Sequence, residues 1–175
     1  MAETKPAGEN PVVYISTSLG DIWAEIFVDK APISAENFLA YARAGFYDGL
    51  IFHRVIQRFM IQGGGFDKDM RQKAAKATIK NEAGNGLKNA TGTLAMARTN
   101  VVDSATCQFF ININDNDFLN HKNTSAEGFG YAVFGRVTDG MEVVRKIEKT
   151  KTGSKGLHQD VPVEPVVIKS VKISS

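Results

Sequence analysis

The residues best placed to do chemistry lie in one run, Phe52-His53-Arg54-Val55-Ile56-Gln57-Arg58-Phe59-Met60-Ile61-Gln62-Gly63-Gly64-Gly65. In an alternating strand Phe52, Arg54 and Ile56 point to the same side, so a cation shares a face with apolar neighbours. Arginine cannot shed its charge, and burying it without a partner is very costly. Arg54 is therefore either one half of an ordinary surface ion pair or part of an accessible groove that offers its fork of donors to a ligand. Gln62 adds an amide donor and acceptor, and Phe59 and Met60 add apolar walls. The chemistry of such a groove is hydrogen bonding from a permanent cation to a ligand held between greasy surfaces.

Other chemistries find less support. His53, His121 and His158 show no His-Glu-x-x-His spacing, and with Cys107 as the lone cysteine there is no Cys-x-x-Cys, so nothing points to a zinc site. His121 and His158 sit among polar residues and read as solvated side chains. His53 lies inside an apolar strand and reads as a buried, hydrogen-bonded structural histidine in preference to a catalytic base. Gly63-Gly64-Gly65 is not followed by Gly-Lys-Ser/Thr or by a convincing helix, which favours a sharp exit from a strand over a phosphate loop. A Gly-x-Ser-x-Gly nucleophile elbow is missing. Cys107 precedes Gln108-Phe109-Phe110 and reads as a small packed residue, not a reactive thiolate.

The elements that must hold the groove are mostly strands. Val12 to Ile15 and Ile22 to Val28 flank the turn-forming Ser18-Leu19-Gly20-Asp21 and predict a hairpin. Ile22, Ala24, Ile26 and Val28 fall on one face and Trp23 and Phe27 on the other, so both faces of that strand should be at least partly covered. Further strands are expected around 51–56, 59–62, 92–97, 109–113, 133–137 and 166–173. Helices are predicted from Ser34 to Ala44, after Pro32, and after Asp139, with Glu142 as a capping-box partner and Val143, Val144 and Ile147 on one side. Many short strands with two helices indicate an antiparallel sandwich or barrel. Two long polar segments, 67–87 and 114–130, are of a length that is usually functional or mobile.

Composition sets the outer limits. Of 175 residues, 43% are hydrophobic and 23% charged, which fits a globular chain and excludes a disordered or fibrous one. The chain divides into a polar, flexible lead-in at 1–10 and one domain at 11–175. A net charge of +2 without a basic block argues against a nucleic-acid partner. No stretch approaches the roughly 20 apolar residues of a membrane-spanning helix. The start lacks an apolar leader, which fits a cytoplasmic protein or a periplasmic one whose signal has been removed; the cytoplasm is the favoured reading. A monomer is the simplest expectation.

The run Phe52 to Phe66, with Asn81-Glu82, Gly92-Thr93-Leu94-Ala95-Met96-Ala97-Arg98-Thr99, Ser104-Ala105-Thr106-Cys107-Gln108-Phe109-Phe110-Ile111 and Tyr131-Ala132-Val133-Phe134-Gly135, closely resembles the cyclophilin family of peptidyl-prolyl cis-trans isomerases in its bacterial branch. The likeness runs from about Val12 to Ile173 with the motifs in family order. It implies a mainly β fold, a closed eight-stranded antiparallel β-barrel capped by two α-helices. By the same resemblance Arg54 takes the place of the catalytic arginine and Gln62 orients it or the substrate. Phe59, Met60, Phe110 and Leu119 would form a proline pocket, and Ala97, Arg98 and Gln108 would line the peptide groove with Gln62. Phe118, standing where eukaryotic members have tryptophan, and Tyr131, standing where they have histidine, would also bind the substrate by this resemblance, and Arg98 stands where those members have asparagine. The missing indole N–H implies weak cyclosporin binding. No cofactor is implied, and the expected partners are proline-containing peptides and unfolded or partly folded proteins. The competing reading is a proline-peptide docking or chaperone module without turnover.

Overall fold

The computed structural model describes residues 10–174, so the expected lead-in, apart from Asn10, lies outside the described residues. The hairpin is β1 (Val12–Thr17) and β2 (Gly20–Ile26), paired from Val12 opposite Glu25 to Thr17 opposite Gly20. Its inner face holds Val13, Ile15, Ile22, Ala24 and Ile26, all buried. Trp23 and Phe27, on the other side, are half-buried, with Trp23 edge-on to Tyr14 at 4.9 Å.

Helix α1 (Pro32–Arg43) takes Pro32 into its first turn, where a missing N–H costs nothing. No side chain of its own caps it. Instead the Glu82 carboxylate accepts from the Ile33 and Ser34 amides at 3.2 and 2.6 Å, satisfying donors the helix leaves open. Phe38 then seats the helix on the sheet, with ring centroids 5.3 Å from Tyr47 and Phe109 and 5.1 Å from Phe134.

After α1 come β3 (Arg54–Ile56), β4 (Met60–Gly63), β5 (Thr93–Met96), β6 (Phe109–Asn112) and β7 (Val133–Asp139). Helix α2 (Met141–Glu148) follows, then β8 (Thr152–Lys155), β9 (His158–Pro162) and β10 (Ile168–Ser174). The expected capping box on α2 is absent. Asp139 is the end of β7, Gly140 occupies the cap position, and the Asp139 carboxylate only accepts from the Gly140 amide. Val143, Val144 and Ile147 do face the core.

Eight strands form one antiparallel sheet in the order β10-β1-β2-β7-β5-β6-β4-β3. The sheet curls into a half-barrel and is not the closed barrel expected. Its end strands are joined only by an isolated bridge, Ile51 to Val167, flanked by the Phe52 amide on the Val166 carbonyl at 3.1 Å and the Ile168 amide on the Leu50 carbonyl at 2.7 Å. Leu50, Ile51, Phe52 and His53 run through this seam with all four side chains buried. Regular ladder pairing begins only at Arg54, where β3 starts. The β8–β9 hairpin, a separate two-stranded sheet lying beside β3, has no counterpart among the expected strands. Only Val161 and Pro162 of its residues are buried, so it carries no apolar periodicity to read.

The large core lies inside the curl. A second, smaller cluster of Met60, Ala95, Phe110, Leu119 and Val133 lies on the opposite face of the same strands. Its strand members Met60, Ala95 and Phe110 alternate with Ile61, Leu94, Met96, Phe109 and Ile111, which belong to the large core, while Leu119 is added from a short helical turn between β6 and β7. A sheet apolar on both faces here gives the site its floor.

Candidate functional site

The tight turn between β3 and β4, closed by the Phe59 amide on the Ile56 carbonyl at 3.1 Å, sets Arg54 opposite Gln62. The next ladder sets Gln62 opposite Phe110, and the one after sets Phe110 opposite Ala95. Paired residues share a face, so a cation, an amide and an aromatic ring stand in one row across the sheet. Ile56 shares that face, as expected. Phe52 does not: it packs in the large core with Phe109, because the alternation breaks at His53.

The row opens into a cavity of about 160 Å³. Met60, Phe110 and Leu119 are its buried floor, Phe59, Ala97 and Tyr131 its sides, and Arg54, Gln62 and Arg98 its polar rim. The lining holds no acidic residue. Arg54 is exposed, and its guanidinium makes one long contact, Nη1 to Gln62 Oε1 at 3.4 Å, and lies 6.0 Å from the Phe59 ring centre. Among the described residues the ion pairs join Arg43 to Glu36, Arg136 to Glu25 and Arg145 to Glu148. Of the two settings open to Arg54, the groove is the one observed, and only Nη1 of the fork is engaged, by the long bond to Gln62.

Gln62 also donates from Nε2 to Gln108 Oε1 at 3.0 Å. Gln108 belongs to an adjoining pocket of about 190 Å³ that shares Gln62, Ala97 and Arg98 with the first and adds Gln72, Thr99, Ser104 and Thr106. These four were not foreseen. Gln72 lies in a long polar segment without periodicity, and the others lie in loops beside a recognisable strand. Phe118 is outside the cavity lining and 62% exposed, resting on Phe59 with centroids 5.5 Å apart.

A buried asparagine network behind the cavity also escaped the sequence. Asn112 donates to Asn89 Oδ1 and Thr93 Oγ1 at 3.0 and 2.9 Å and accepts from Asn116 at 2.8 Å. Asn116 further donates to the Phe59 carbonyl, and Asn89 to the Leu119 and Tyr131 carbonyls. Two side residues of the cavity, Phe59 and Tyr131, and Leu119 of its floor are thus tied by backbone to one polar knot. Asn112 interrupts an apolar strand, and that interruption was the available signal.

His53 is buried against Phe66, with ring centroids 4.6 Å apart, but its Nδ1 has no hydrogen-bond partner. The expected hydrogen bond is therefore not made there. Burial, reinforced by the nearby His158 and Arg54 charges, lowers its pKa to about 4. Cys107 is buried, and burial raises its thiol pKa, away from thiolate chemistry.

A family model described as cyclophilin type peptidyl-prolyl cis-trans isomerase/CLD matches residues 12–173. Peptidyl-prolyl cis-trans isomerase B of Escherichia coli is 60% identical over 163 residues, spanning 93% of this chain and 99% of that protein. An isomerase of Streptomyces antibioticus is 61% identical over 161 residues, spanning 92% and 97%. Among solved structures, a cyclophilin type isomerase of Cryptosporidium parvum superposes with a TM-score of 0.75 at 29% identity, covering 95% of this chain and 98% of that one. A second crystal structure of that enzyme, in the presence of the dipeptide Ala-Pro, superposes with a TM-score of 0.74.

Proposed function

The chain belongs to the cyclophilin-type peptidyl-prolyl cis-trans isomerases, and from that premise we propose that Arg54 and the socket of Met60, Phe110 and Leu119 hold the twisted X-Pro amide between them. Rotation about this bond is opposed by amide resonance, a barrier of about 18 to 20 kcal/mol, and no covalent bond breaks. The enzyme has only to bind the twisted amide better than either planar form.

In the twisted state the proline nitrogen turns pyramidal and gains a lone pair. A guanidinium N–H directed at that nitrogen stabilises the pair and keeps it out of conjugation, which is the work assigned to Arg54. The socket fixes the ring while the preceding carbonyl swings. Gln62, held between Arg54 and Gln108, orients the guanidinium, and the rim of Ala97 and Gln108 faces the neighbouring peptide units. Phe118 widens the apolar approach over Phe59 but offers no ring N–H, so cyclosporin should bind weakly. The substrates in this reading are proline-containing segments of unfolded or partly folded proteins, which makes the enzyme a folding assistant. The Ala-Pro dipeptide used with the Cryptosporidium parvum enzyme has the matching chemistry.

One observation carries the reading: a cation with no carboxylate partner among the described residues stands on the rim of a cavity of about 160 Å³ floored by Met60, Phe110 and Leu119. Arg54→Ala should lower kcat/KM on an Ala-Pro peptide by about a hundredfold, nearly 3 kcal/mol in the barrier, with thermal unfolding unchanged. A loss within about threefold, under 1 kcal/mol, would sink it. A module that only docks proline would bind the peptide without turnover in the unaltered protein.

A further inference from the structure

The second cation on the cavity rim is bonded quite differently from the first. Arg98 donates from Nε to the Gly130 carbonyl at 3.0 Å, from Nη1 to the Thr99 carbonyl at 2.9 Å and from Nη2 to the Ala126 carbonyl at 3.1 Å. The guanidinium carbon lies 4.8 Å from the centre of the Tyr131 ring. All three nitrogens are engaged by backbone, and one flat face is covered by an aromatic ring. Nothing comparable holds Arg54.

The three carbonyls belong to two stretches far apart in sequence, and the farther one is the arc that ends at Tyr131. That arc returns on itself at Gly130, whose φ of +84° is the left-handed region open to glycine. A Cβ there would stand 2.7 Å from backbone atoms of Leu119, Asn120 and His121. The Gly130 carbonyl also accepts from Asn81 at 3.1 Å, and the Tyr131 amide donates to the Leu119 carbonyl at 2.9 Å. The ring of Tyr131 in turn meets Phe110 edge-on at 5.8 Å. Any force on Gly130 is therefore transmitted to Leu119, Phe110 and Tyr131, which line the socket.

We infer that Arg98 is a positioning residue: by clamping the Ala126 and Gly130 carbonyls and stacking on Tyr131 it fixes the far wall of the socket, and its side chain does not meet the substrate. This rests on the proposed role of the socket and extends it. Only a planar, forked cation can satisfy three carbonyls and a ring at once, so lysine, with a compact ammonium, is a poor replacement. Because the wall holds the proline ring in the planar and twisted states alike, loosening it weakens both equally, which raises KM and spares kcat.

The test is steady-state kinetics of Arg98→Ala and Arg98→Lys on an uncharged Ala-Pro peptide, beside Arg54→Ala, with each Arg98 change repeated on a Tyr131→Leu background. Arg98→Ala should raise KM about fivefold or more with kcat within about twofold, and Arg98→Lys should behave alike. On the Tyr131→Leu background, where the ring that Arg98 positions is gone, the further change should fall below about twofold. A drop in kcat at constant KM, full rescue by lysine, or an undiminished fivefold effect without Tyr131 would each overturn the inference. If Arg98→Ala does not fold, Arg98→Gln, which keeps much of the stem, takes its place with the same criteria. An active Arg54→Ala would defeat the proposed catalytic role of Arg54 alone and leave the Arg98 measurement readable.

Discussion

Two walls of one cavity are built on opposite principles. The β3–β4 wall carries Arg54, exposed, with a single contact at 3.4 Å. The wall from Leu119 to Tyr131 is tied down by Arg98, by Asn81 and by the asparagine knot, through bonds of 2.8 to 3.2 Å. Both walls contain an arginine of identical charge, so charge does not separate their roles. What separates them is the number of internal acceptors within reach. A donor already occupied cannot respond to a developing lone pair, and an unoccupied one cannot hold a loop in place.

The harshest way to break the contrast is to dissolve the fixed wall from behind. Asn112→Ala removes three side-chain bonds at a fully buried position and leaves Asn89, Thr93 and Asn116 short of partners. Unsatisfied buried polar groups cost more than the bonds themselves contribute. The expected loss is about 3 kcal/mol in unfolding free energy, measured by urea titration, with faster amide exchange at Leu119 and Tyr131 than at Arg54 and Gln62. A loss below about 1 kcal/mol would mean the knot is not what fixes this wall.

The open wall was the more legible of the two in the amino-acid sequence, and for a physical reason. A cation among apolar residues in a strand is costly, so Arg54 announced itself, with Gln62 named beside it as an amide, although the turn that pairs the two was not foreseen. Arg98 gave no such sign: its three acceptors are backbone atoms, one adjacent and two about thirty residues away, and every residue type has a carbonyl. The asparagine knot is hidden in part for the same reason, since Asn112 and Asn116, four residues apart, meet Asn89 from 23 residues before Asn112. Helix and strand positions followed from periodicity except where periodicity failed. The barrel seam is held by a single bridge, Ile51 to Val167, where a full ladder was expected, the polar β8–β9 hairpin was unseen, and Glu82 capped α1 from across the fold.

Acid should separate the walls next. His53 lies beneath the open wall with a pKa lowered to about 4 against an ordinary 6.5. Between these values the unfolded chain binds a proton that the folded chain refuses, so stability rises with pH there. The contribution is complete above about pH 6.5 and is lost as the pH falls towards 4, on the order of 2 kcal/mol. Unfolding free energies from pH 7 to 4.5 should show this slope, and His53→Phe should flatten it. A slope unchanged in His53→Phe would place the acid sensitivity elsewhere.

A gentler probe keeps the charge on the open wall and changes only its shape. Arg54→Lys preserves a cation but replaces a planar fork by a compact ammonium on a shorter reach. If the fork is what meets the pyramidal nitrogen, kcat should fall about tenfold, near 1.4 kcal/mol, with KM little altered. That is the reverse of the split expected for Arg98, so the two lysine substitutions measured side by side test the contrast directly. Equal KM and kcat effects at both positions would erase it.

The smallest effect is expected at Gln62, which touches the open wall without being its donor. Its Oε1 meets Arg54 at 3.4 Å, beyond the usual range for a strong hydrogen bond, while its Nε2 is held by Gln108 at 3.0 Å. The amide is thus fixed more firmly by Gln108 than Arg54 is fixed by the amide. Gln62→Ala should therefore widen the orientations open to the guanidinium without removing it, lowering kcat by about threefold, roughly 0.7 kcal/mol. Gln108→Ala should give part of the same loss, because it frees Gln62 to turn. The double variant should lose no more than Gln62→Ala alone, since both act through one guanidinium. A loss at Gln62 matching that of Arg54→Ala would instead make the amide a direct substrate contact and leave the open wall with two working groups.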